Sequence, residues 1–260
     1  MRNRFNPMVF AAVYSFVVPL ALGGTAAWMA LSPANIGTVK DWQTLIAGVI
    51  AIVAALMGGG FVYYQTLESR RQHNALLARR HAAARSVLPL TLSALMENAS
   101  TIAERLDTLR SSAVGGRVPR GTAPFEYPEA DHNLIGPLKD VIETAPESVS
   151  DAIATLLSDI QVLEARLRHA AAAPSTRSTS LVLTLNIVDY IINAATIYAR
   201  CAALFEYARR ETDDAPSTFP SEPQLVSALN QLDFDEATDS EMYALARARA
   251  RRWEKSMAVE

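Results

Sequence analysis

Residues 41–73 read DWQTLIAGVIAIVAALMGGGFVYYQTLESRRQH, and this stretch decides how the rest of the chain is interpreted. No charged residue lies between Asp41 and Glu68, and Arg70 and Arg71 follow almost at once. Crossing about 30 Å of hydrocarbon at about 1.5 Å per helical residue takes about 20 residues. The stretch is long enough, and its abrupt change in polarity predicts a helix that passes from lipid to water near Glu68.

A second apolar segment precedes it. Residues 9–31, VFAAVYSFVVPLALGGTAAWMAL, also contain no charged residue. Aromatic residues lie near the ends of both segments, as expected at the headgroup depth of a bilayer; they are Phe5, Phe10, Trp28, Trp42, Tyr63 and Tyr64. The sequence therefore predicts a transmembrane hairpin in residues 1–65, with spans at about 9–31 and 42–64. Two alternatives stay open: buried helices of a soluble protein, and a cleaved signal peptide in place of the first span.

The basic residues predict the orientation of this hairpin. Arg2 and Arg4 precede the first span, a run of arginines follows the second, and the connecting loop holds Lys40 balanced by Asp41. Positive charge is retained on the cytoplasmic side, so both termini are expected there. Contact with anionic lipid headgroups is a candidate role for four arginines; they are Arg70, Arg71, Arg79 and Arg80. The simpler interpretation is that these arginines only fix the topology.

Charge is unevenly distributed along the chain. The formal net charge is +2 for residues 1–65, +5 for residues 66–120 and −10 for residues 121–260, within a total of −3. Nucleic-acid binding requires clustered cations. The acidic distal part therefore argues against nucleic acid as the main partner.

Beyond residue 65 the apolar positions follow a helical period. Two stretches carry coiled-coil-like heptad seams; they are Leu88, Leu92, Leu95, Ala99, Ile102, Leu106 and Leu109, and Val149, Ile153, Leu156, Ile160, Leu163 and Leu167. A later helix, near residues 181–210, has two apolar stripes, which is typical of a central helix; one is Leu181, Leu185, Val188, Ile192, Ala195 and Ala202, and the other is Ile187, Ile191, Ala194, Tyr198, Cys201 and Phe205. We predict an all-α chain in which a two-helix transmembrane hairpin precedes a cytoplasmic helical bundle in residues 66–213. An acidic linker and a C-terminal helix follow in residues 214–260.

Glycine and proline predict where these helices end or bend. Loops are expected at residues 111–133, 174–180 and 213–223. In the first loop, Gly115 and Gly116 followed by Arg117 and Arg120 could cradle an anion, but the P-loop pattern is absent and a flexible loop is preferred. Pro89 removes a backbone donor and crowds the preceding turn, so we expect a kink or break near Leu88. This bend is either purely structural or a hinge between the membrane part and the bundle.

The sequence offers little that could carry catalysis. Cys201 is the only cysteine and lies on an apolar stripe, which predicts an inert, packed thiol and excludes an intramolecular disulfide. The histidines are scattered without the spacing of a metal site; they are His73, His81, His132 and His169. We therefore predict no catalytic residue, no metal site and no cofactor.

One polar stripe crosses the otherwise apolar helix. Its members recur every three or four residues; they are Asn186, Asp189, Asn193, Thr196 and Arg200. A solvated face is the preferred interpretation, and a polar network or partner contact inside the bundle is the alternative. Near the C-terminus, a second contact with the membrane surface is a further alternative; its residues are Arg247, Arg249, Arg251, Arg252 and Trp253.

Four stretches together resemble a group of uncharacterised bacterial inner-membrane proteins. They are DWQTLIAG, ARSVLPLTLSAL, LLSDIQVLEARLR and NAATIYARCAALFEYAR, within residues 41–210. The resemblance implies a location in the bacterial inner membrane and a helical cytoplasmic part. It implies no activity, cofactor or catalytic residue, and it does not extend to the first span or the acidic C-terminal part.

Three classes of function follow from the sequence. The leading one is a membrane-anchored interaction or scaffold protein, whose heptad faces bind a second copy or a cytoplasmic protein. The second is a sensor or regulatory subunit that transmits a change in the spans through Pro89. The third is an enzyme with a site in the bundle near Asp189.

Overall fold

The computed structural model describes residues 36–119, 126–128, 132–172 and 183–257. Within these ranges the chain forms helices and no named strand, so the all-α prediction is confirmed there. The helices are α1 (Ile36–Ser111), α2 (His132–Thr144), α3 (Glu147–Ala172), α4 (Thr184–Ala208), α5 (Glu222–Gln231) and α6 (Ser240–Met257). The predicted first span, residues 9–31, lies outside the described residues.

The contacts divide the chain into two compact units, Met1–Arg71 and Gln72–Glu260. In the first unit, the side chains of residues 47–66 are exposed except for the half-buried Met57. The most apolar 18-residue window of α1 has a mean hydropathy of 1.8, and none of it is buried. Among the described residues none covers this segment, and a helix that is apolar and exposed on all sides is typical of one that faces lipid.

We call the second unit, Gln72–Glu260, the helical unit. The part of α1 that belongs to it carries the first heptad seam, and all seven seam residues are buried. The break expected at Pro89 is absent, because α1 continues through this proline to Ser111. Burial of Leu88 and Leu92 on either side of Pro89 offsets the one helical hydrogen bond that a proline removes.

The second heptad seam is also confirmed, since all six of its residues on α3 are buried. On α4 the prediction is partly wrong: Leu185 is 57% exposed and Ala202 is also exposed. Leu204 and Tyr207 are buried in their place. A window of α4 has a mean hydropathy of 1.3, but 72% of it is buried, which is the pattern of a core helix.

The segment predicted as an acidic linker contains the helix α5. Helix α5 packs on α4 and α6, and Leu225 and Leu229 bury its apolar face. The Tyr243 hydroxyl of α6 donates to Asn230 Oδ1 at 2.6 Å and lies 2.9 Å from the Phe234 carbonyl oxygen. These contacts place the buried side chains of α5 and α6 in the core of the helical unit.

The predicted glycine loop after α1 begins as a tight turn. Val114 and Arg117 exchange backbone hydrogen bonds of 2.8 and 3.2 Å. Gly115 and Gly116 adopt φ values of 59° and 75°, which only glycine reaches without strain. The Gly116 carbonyl then accepts from the backbone N–H of Thr184, so the turn is tied to the start of α4.

Candidate functional site

An open groove of about 480 Å³ lies at one end of the helical unit. Three segments form it: the α1 turn that carries His81, the connection between α2 and α3, and the C-terminal end of α4. Its lining residues are Leu77, Ala78, His81, Arg85, Thr144, Ala145, Pro146, Tyr207 and Asp213.

Arg85 binds the end of α4 from the neighbouring helix. Its side chain is 9% exposed, and its Nε donates to the Tyr207 carbonyl at 2.7 Å. Its Nη atoms donate to the Thr212 carbonyl and, at 2.6 Å, to the Asp213 carboxylate. The guanidinium also lies 4.1 Å from the centre of the Tyr207 ring. The Tyr207 carbonyl also accepts from the backbone N–H of Arg210 at 3.0 Å, so Arg85 adds a second donor there. A cation at the last carbonyls of a helix stabilises its C-terminus.

His81 connects α2 to α4 through both ring nitrogens. Its Nδ1 lies 3.3 Å from Thr144 Oγ1, and its Nε2 lies 2.9 Å from the Tyr207 hydroxyl. Because the Thr144 hydroxyl donates to the Asp140 carbonyl at 2.8 Å, it must accept from His81 Nδ1–H. This network assigns the neutral tautomer in which Nε2 accepts from Tyr207.

The surroundings keep these two groups neutral. Burial, assisted by the Arg85 and Arg210 charges, lowers the pKa of His81 below its ordinary value. Burial raises the pKa of Tyr207, and the Arg85 charge opposes that rise only in part. The Tyr207 hydroxyl therefore stays a donor and His81 Nε2 stays an acceptor at neutral pH.

The polar groups of the groove bind one another. Arg85, His81, Thr144 and Tyr207 each use their hydrogen-bonding atoms within the helical unit, and both hydroxyls beside His81 are engaged as its hydrogen-bond partners. The arrangement can hold three chain segments together and can take up one proton at His81.

The predicted polar stripe of α4 divides into two parts. Asn186 is exposed, as a solvated stripe requires. Asp189 instead accepts from Arg166 of α3 at 2.9 Å and from Arg249 of α6. Arg249 also donates to Asn193 Oδ1, so the polar network considered as the alternative describes Asp189 and Asn193.

Thr196 and Arg200, at the other end of the stripe, are buried. Arg200 Nε lies 2.9 Å from Asp159 Oδ2 of α3, at an angle unsuited to a hydrogen bond, so the contact is ionic. The Arg200 guanidinium also donates to the Thr218 carbonyl and lies 5.2 Å from the Phe219 ring centre. Burial raises the pKa of Asp159 and lowers that of Arg200, because it penalises both charges.

The other predicted positions are placed as follows. Arg70, Arg71, Arg79 and Arg80 are all exposed, and Arg71 lies 3.9 Å from Glu68. Pro89 is half-buried inside α1. Cys201 is buried, and burial raises the pKa of its thiol to about 12, which keeps it in the unreactive protonated form. Among the described residues no cluster of three metal-ligating side chains occurs.

The groove is the feature that sequence reasoning missed. His81 and Tyr207 are separated by 126 residues, and Arg85 and Asp213 by 128. Separations of this size follow no helical periodicity, so the sequence does not predict that either pair is in contact. The one usable signal is Arg85, a lone charge in the apolar run that continues to Met96.

Comparison with known proteins finds no relative of this chain. No protein family, no curated protein and no solved structure matches this chain.

Proposed function

We propose that this protein is a membrane-anchored helical protein whose water-exposed part binds other proteins as a scaffold or interaction module. The observation that carries the proposal is the exposed apolar part of α1 in residues 47–66. Water would be in contact with large side chains such as Ile52, Leu56 and Phe61, which are 62%, 71% and 62% exposed. Contact of these apolar side chains with water is unfavourable. Contact with lipid instead stabilises them by about 25 cal/mol for each Å² of apolar surface withdrawn from water.

The membrane part is proposed to be a hairpin with spans at residues 9–31 and 42–64. The arginines that flank these segments support cytoplasmic termini, and the resemblance to bacterial inner-membrane proteins supports that membrane as the location. The exposed positions of Arg70, Arg71, Arg79 and Arg80 are compatible with headgroup contact.

Residues 72–257 are proposed to form the cytoplasmic bundle and to bind a second copy or a cytoplasmic protein. Binding rather than catalysis is favoured because the titratable side chains of the groove and of the Asp189 network already pair with each other. A net charge of −10 over residues 121–260 argues against nucleic acid as a partner.

A sensor or regulatory subunit is the second candidate. It is favoured by α1, a single helix that contains both the exposed apolar segment and the buried heptad seam. This function requires that a change at the spans alters the packing of the helical unit. Hydrogen exchange of residues 88–109 in vesicles, with and without a stimulus, would test it.

The proposal is tested by fractionation and by topology mapping. The full-length chain is expected to stay with membranes in alkaline carbonate and to be released only by detergent. Single cysteines introduced at Ser32 in the connecting loop and at Ser256 are expected to react with a membrane-impermeant maleimide from outside and from inside, respectively. A chain extracted by carbonate alone would overturn the proposal, and labelling of both cysteines from one side would overturn the hairpin.

A further inference from the structure

We infer that the junction of α3, α4 and α6 binds a phosphate group in its dianionic form. The ligand lies against two arginines that share Asp189 and a third arginine beside them; they are Arg166, Arg249 and Arg252. We call these three side chains the arginine cluster. The inference goes beyond the proposed function, because it concerns a ligand of the helical unit and does not depend on how the chain is anchored.

Two guanidinium groups share one carboxylate at this junction. Arg166 of α3 donates to Asp189 Oδ2 at 2.9 Å, and Arg249 of α6 donates to Asp189 Oδ1. Arg252 follows Arg249 by one turn of α6, and its charge acts on Arg249. Three arginines and one aspartate leave a formal charge of +2. A phosphate monoester carries about −2 near neutral pH and therefore neutralises this excess.

The excess of cations is specific to this junction. Three other ion-pair networks of the helical unit have at least as many carboxylates as arginines; they are Arg110 with Asp107 and Asp239, Arg200 with Asp159, and Arg247 and Arg251 with Glu222 and Glu236. Residues 121–260 as a whole have a net charge of −10. The concentration of positive charge at Asp189 is therefore not the result of a generally basic surface.

The junction also holds more hydrogen-bond donors than acceptors. A guanidinium has several N–H groups. Arg166 uses one of them on Asp189, and Arg249 uses two, on Asp189 and Asn193. Asn193 Nδ2 is buried with no hydrogen-bond partner among the described residues. Phosphate oxygens supply acceptors, and a guanidinium binds a phosphate through two parallel hydrogen bonds.

A ligand can reach the arginine cluster from solvent. The side chains of Arg166 and Arg249 are 41% and 22% exposed, and Arg252 is exposed. Burial lowers the pKa of Arg249, and the Arg166 and Arg252 charges lower it further, while Asp189 opposes this only in part. A bound anion therefore relieves the repulsion among the three arginines.

Titration of the full-length chain in mild detergent with inorganic phosphate tests the site. At constant ionic strength and slightly alkaline pH, we expect a saturable rise in melting temperature. Arg252→Gln removes an exposed cation from the cluster, and the matched control Arg168→Gln removes an exposed cation from a different face of α3. We expect R252Q to weaken phosphate binding about tenfold and R168Q to leave it unchanged.

A second variant and a second anion define the chemistry of the site. Arg166→Gln should also weaken binding about tenfold, and circular dichroism of each variant shows that it is folded. If R166Q does not fold, R252Q decides. Acetate, which carries one charge, should bind about tenfold more weakly than phosphate.

Three outcomes would overturn the inference: no saturable stabilisation by phosphate, equal stabilisation of R252Q and R168Q, or equal stabilisation by acetate and phosphate. None of these outcomes would affect the test of the proposed membrane function, which is fractionation of the unchanged chain.

The source of the phosphate group is separated by lipid. The chain is placed in vesicles that contain phosphatidic acid, a phosphate monoester, or phosphatidylglycerol, a phosphodiester. Binding of labelled inorganic phosphate that is equal in the two vesicles assigns a soluble phosphorylated ligand to the arginine cluster. Binding that is lost only with phosphatidic acid assigns a lipid headgroup.

Discussion

Single buried polar side chains hold the helical unit together, and Arg85 is the clearest case. Its loss would remove the side-chain donors of the Tyr207 and Thr212 carbonyls, of which Tyr207 keeps the Arg210 backbone N–H, and would remove a cation stacked on Tyr207. We expect Arg85→Met to lower the free energy of unfolding by about 2–4 kcal/mol. Urea unfolding of the purified full-length chain in mild detergent, followed by circular dichroism, measures it.

The control for this variant is Asp213→Asn. Asp213 pairs with Arg85, but its side chain is 93% exposed, and exposed ion pairs contribute less than about 1 kcal/mol. Equal losses for the two variants would mean that the ion pair matters and that the hydrogen bonds to the Tyr207 and Thr212 carbonyls do not.

His81 gives the helical unit a predictable dependence on pH. Its folded-state pKa is lowered, so the unfolded chain binds the proton more readily. The contribution of His81 to stability is therefore complete above its ordinary pKa of about 6.5 and is lost as pH falls from there towards the folded-state value. His81→Gln should weaken this dependence, as measured by urea midpoints between pH 4.5 and 7.5. Parallel profiles for the variant and the unchanged chain would contradict the assignment.

At the scale of the helices, one buried ion pair joins α3 to α4. Arg200→Met leaves the Asp159 carboxylate without its cation in a place where burial already raises its pKa. We expect a loss of about 3–5 kcal/mol for this single variant. The double variant Asp159→Leu, Arg200→Met removes both charges and should recover most of the loss. The urea unfolding midpoints of both variants measure these changes in stability. A double variant no more stable than R200M would contradict this explanation.

Pro89 permits a test of the hinge within α1. Because the helix is continuous through Pro89, replacing proline with alanine restores a helical hydrogen-bond donor without changing the bounds of the helix. We expect Pro89→Ala to raise the free energy of unfolding by about 1–3 kcal/mol. Thermal unfolding measures this change. Oligomerisation in membranes should be altered only if Pro89 is a hinge.

How far the sequence predicted these helices depends on how many neighbours each one has. The seams of α1 and α3 each face one core, so a single stripe such as Leu88–Leu92–Leu95 identifies the buried side. Helix α4 has neighbours on several sides, and periodicity could not distinguish exposed Leu185 from buried Leu204. Helix α5 has 10 residues and a proline near its start. A segment this short forms a helix mainly through tertiary packing, so its own sequence resembles that of a loop.

The groove could not be predicted for a different reason. Its contacts join residues of α1 to the far end of α4, and hydrogen bonds at such separations leave no periodic trace in the sequence. Burial of a lone charge such as Arg85 indicates that a partner exists without identifying it.

For the whole molecule, the decisive comparison is between two apolar helices of very different burial. Both α1 and α4 are long and apolar enough to cross a membrane, but the apolar window of α1 is 0% buried and that of α4 is 72% buried. The side chains of α4 already have protein neighbours, so the helical unit has no need of lipid there. The C-terminal residues also pack within the protein: Trp253 stacks on Phe219 at 5.4 Å, and Arg247 makes two hydrogen bonds to Glu236.

A fragment of residues 72–260 should therefore fold and remain in solution without detergent. It retains the buried seams of α1 and α3, all of α4 and the groove, and it lacks the exposed apolar segment. We expect a cooperative thermal transition and no pelleting with vesicles of neutral or anionic lipid, whereas the full-length chain requires detergent. Pelleting with anionic vesicles alone would assign membrane contact to Arg79, Arg80 or the C-terminal arginines, and a fragment that needs detergent to stay soluble would mean that α4 is itself a span.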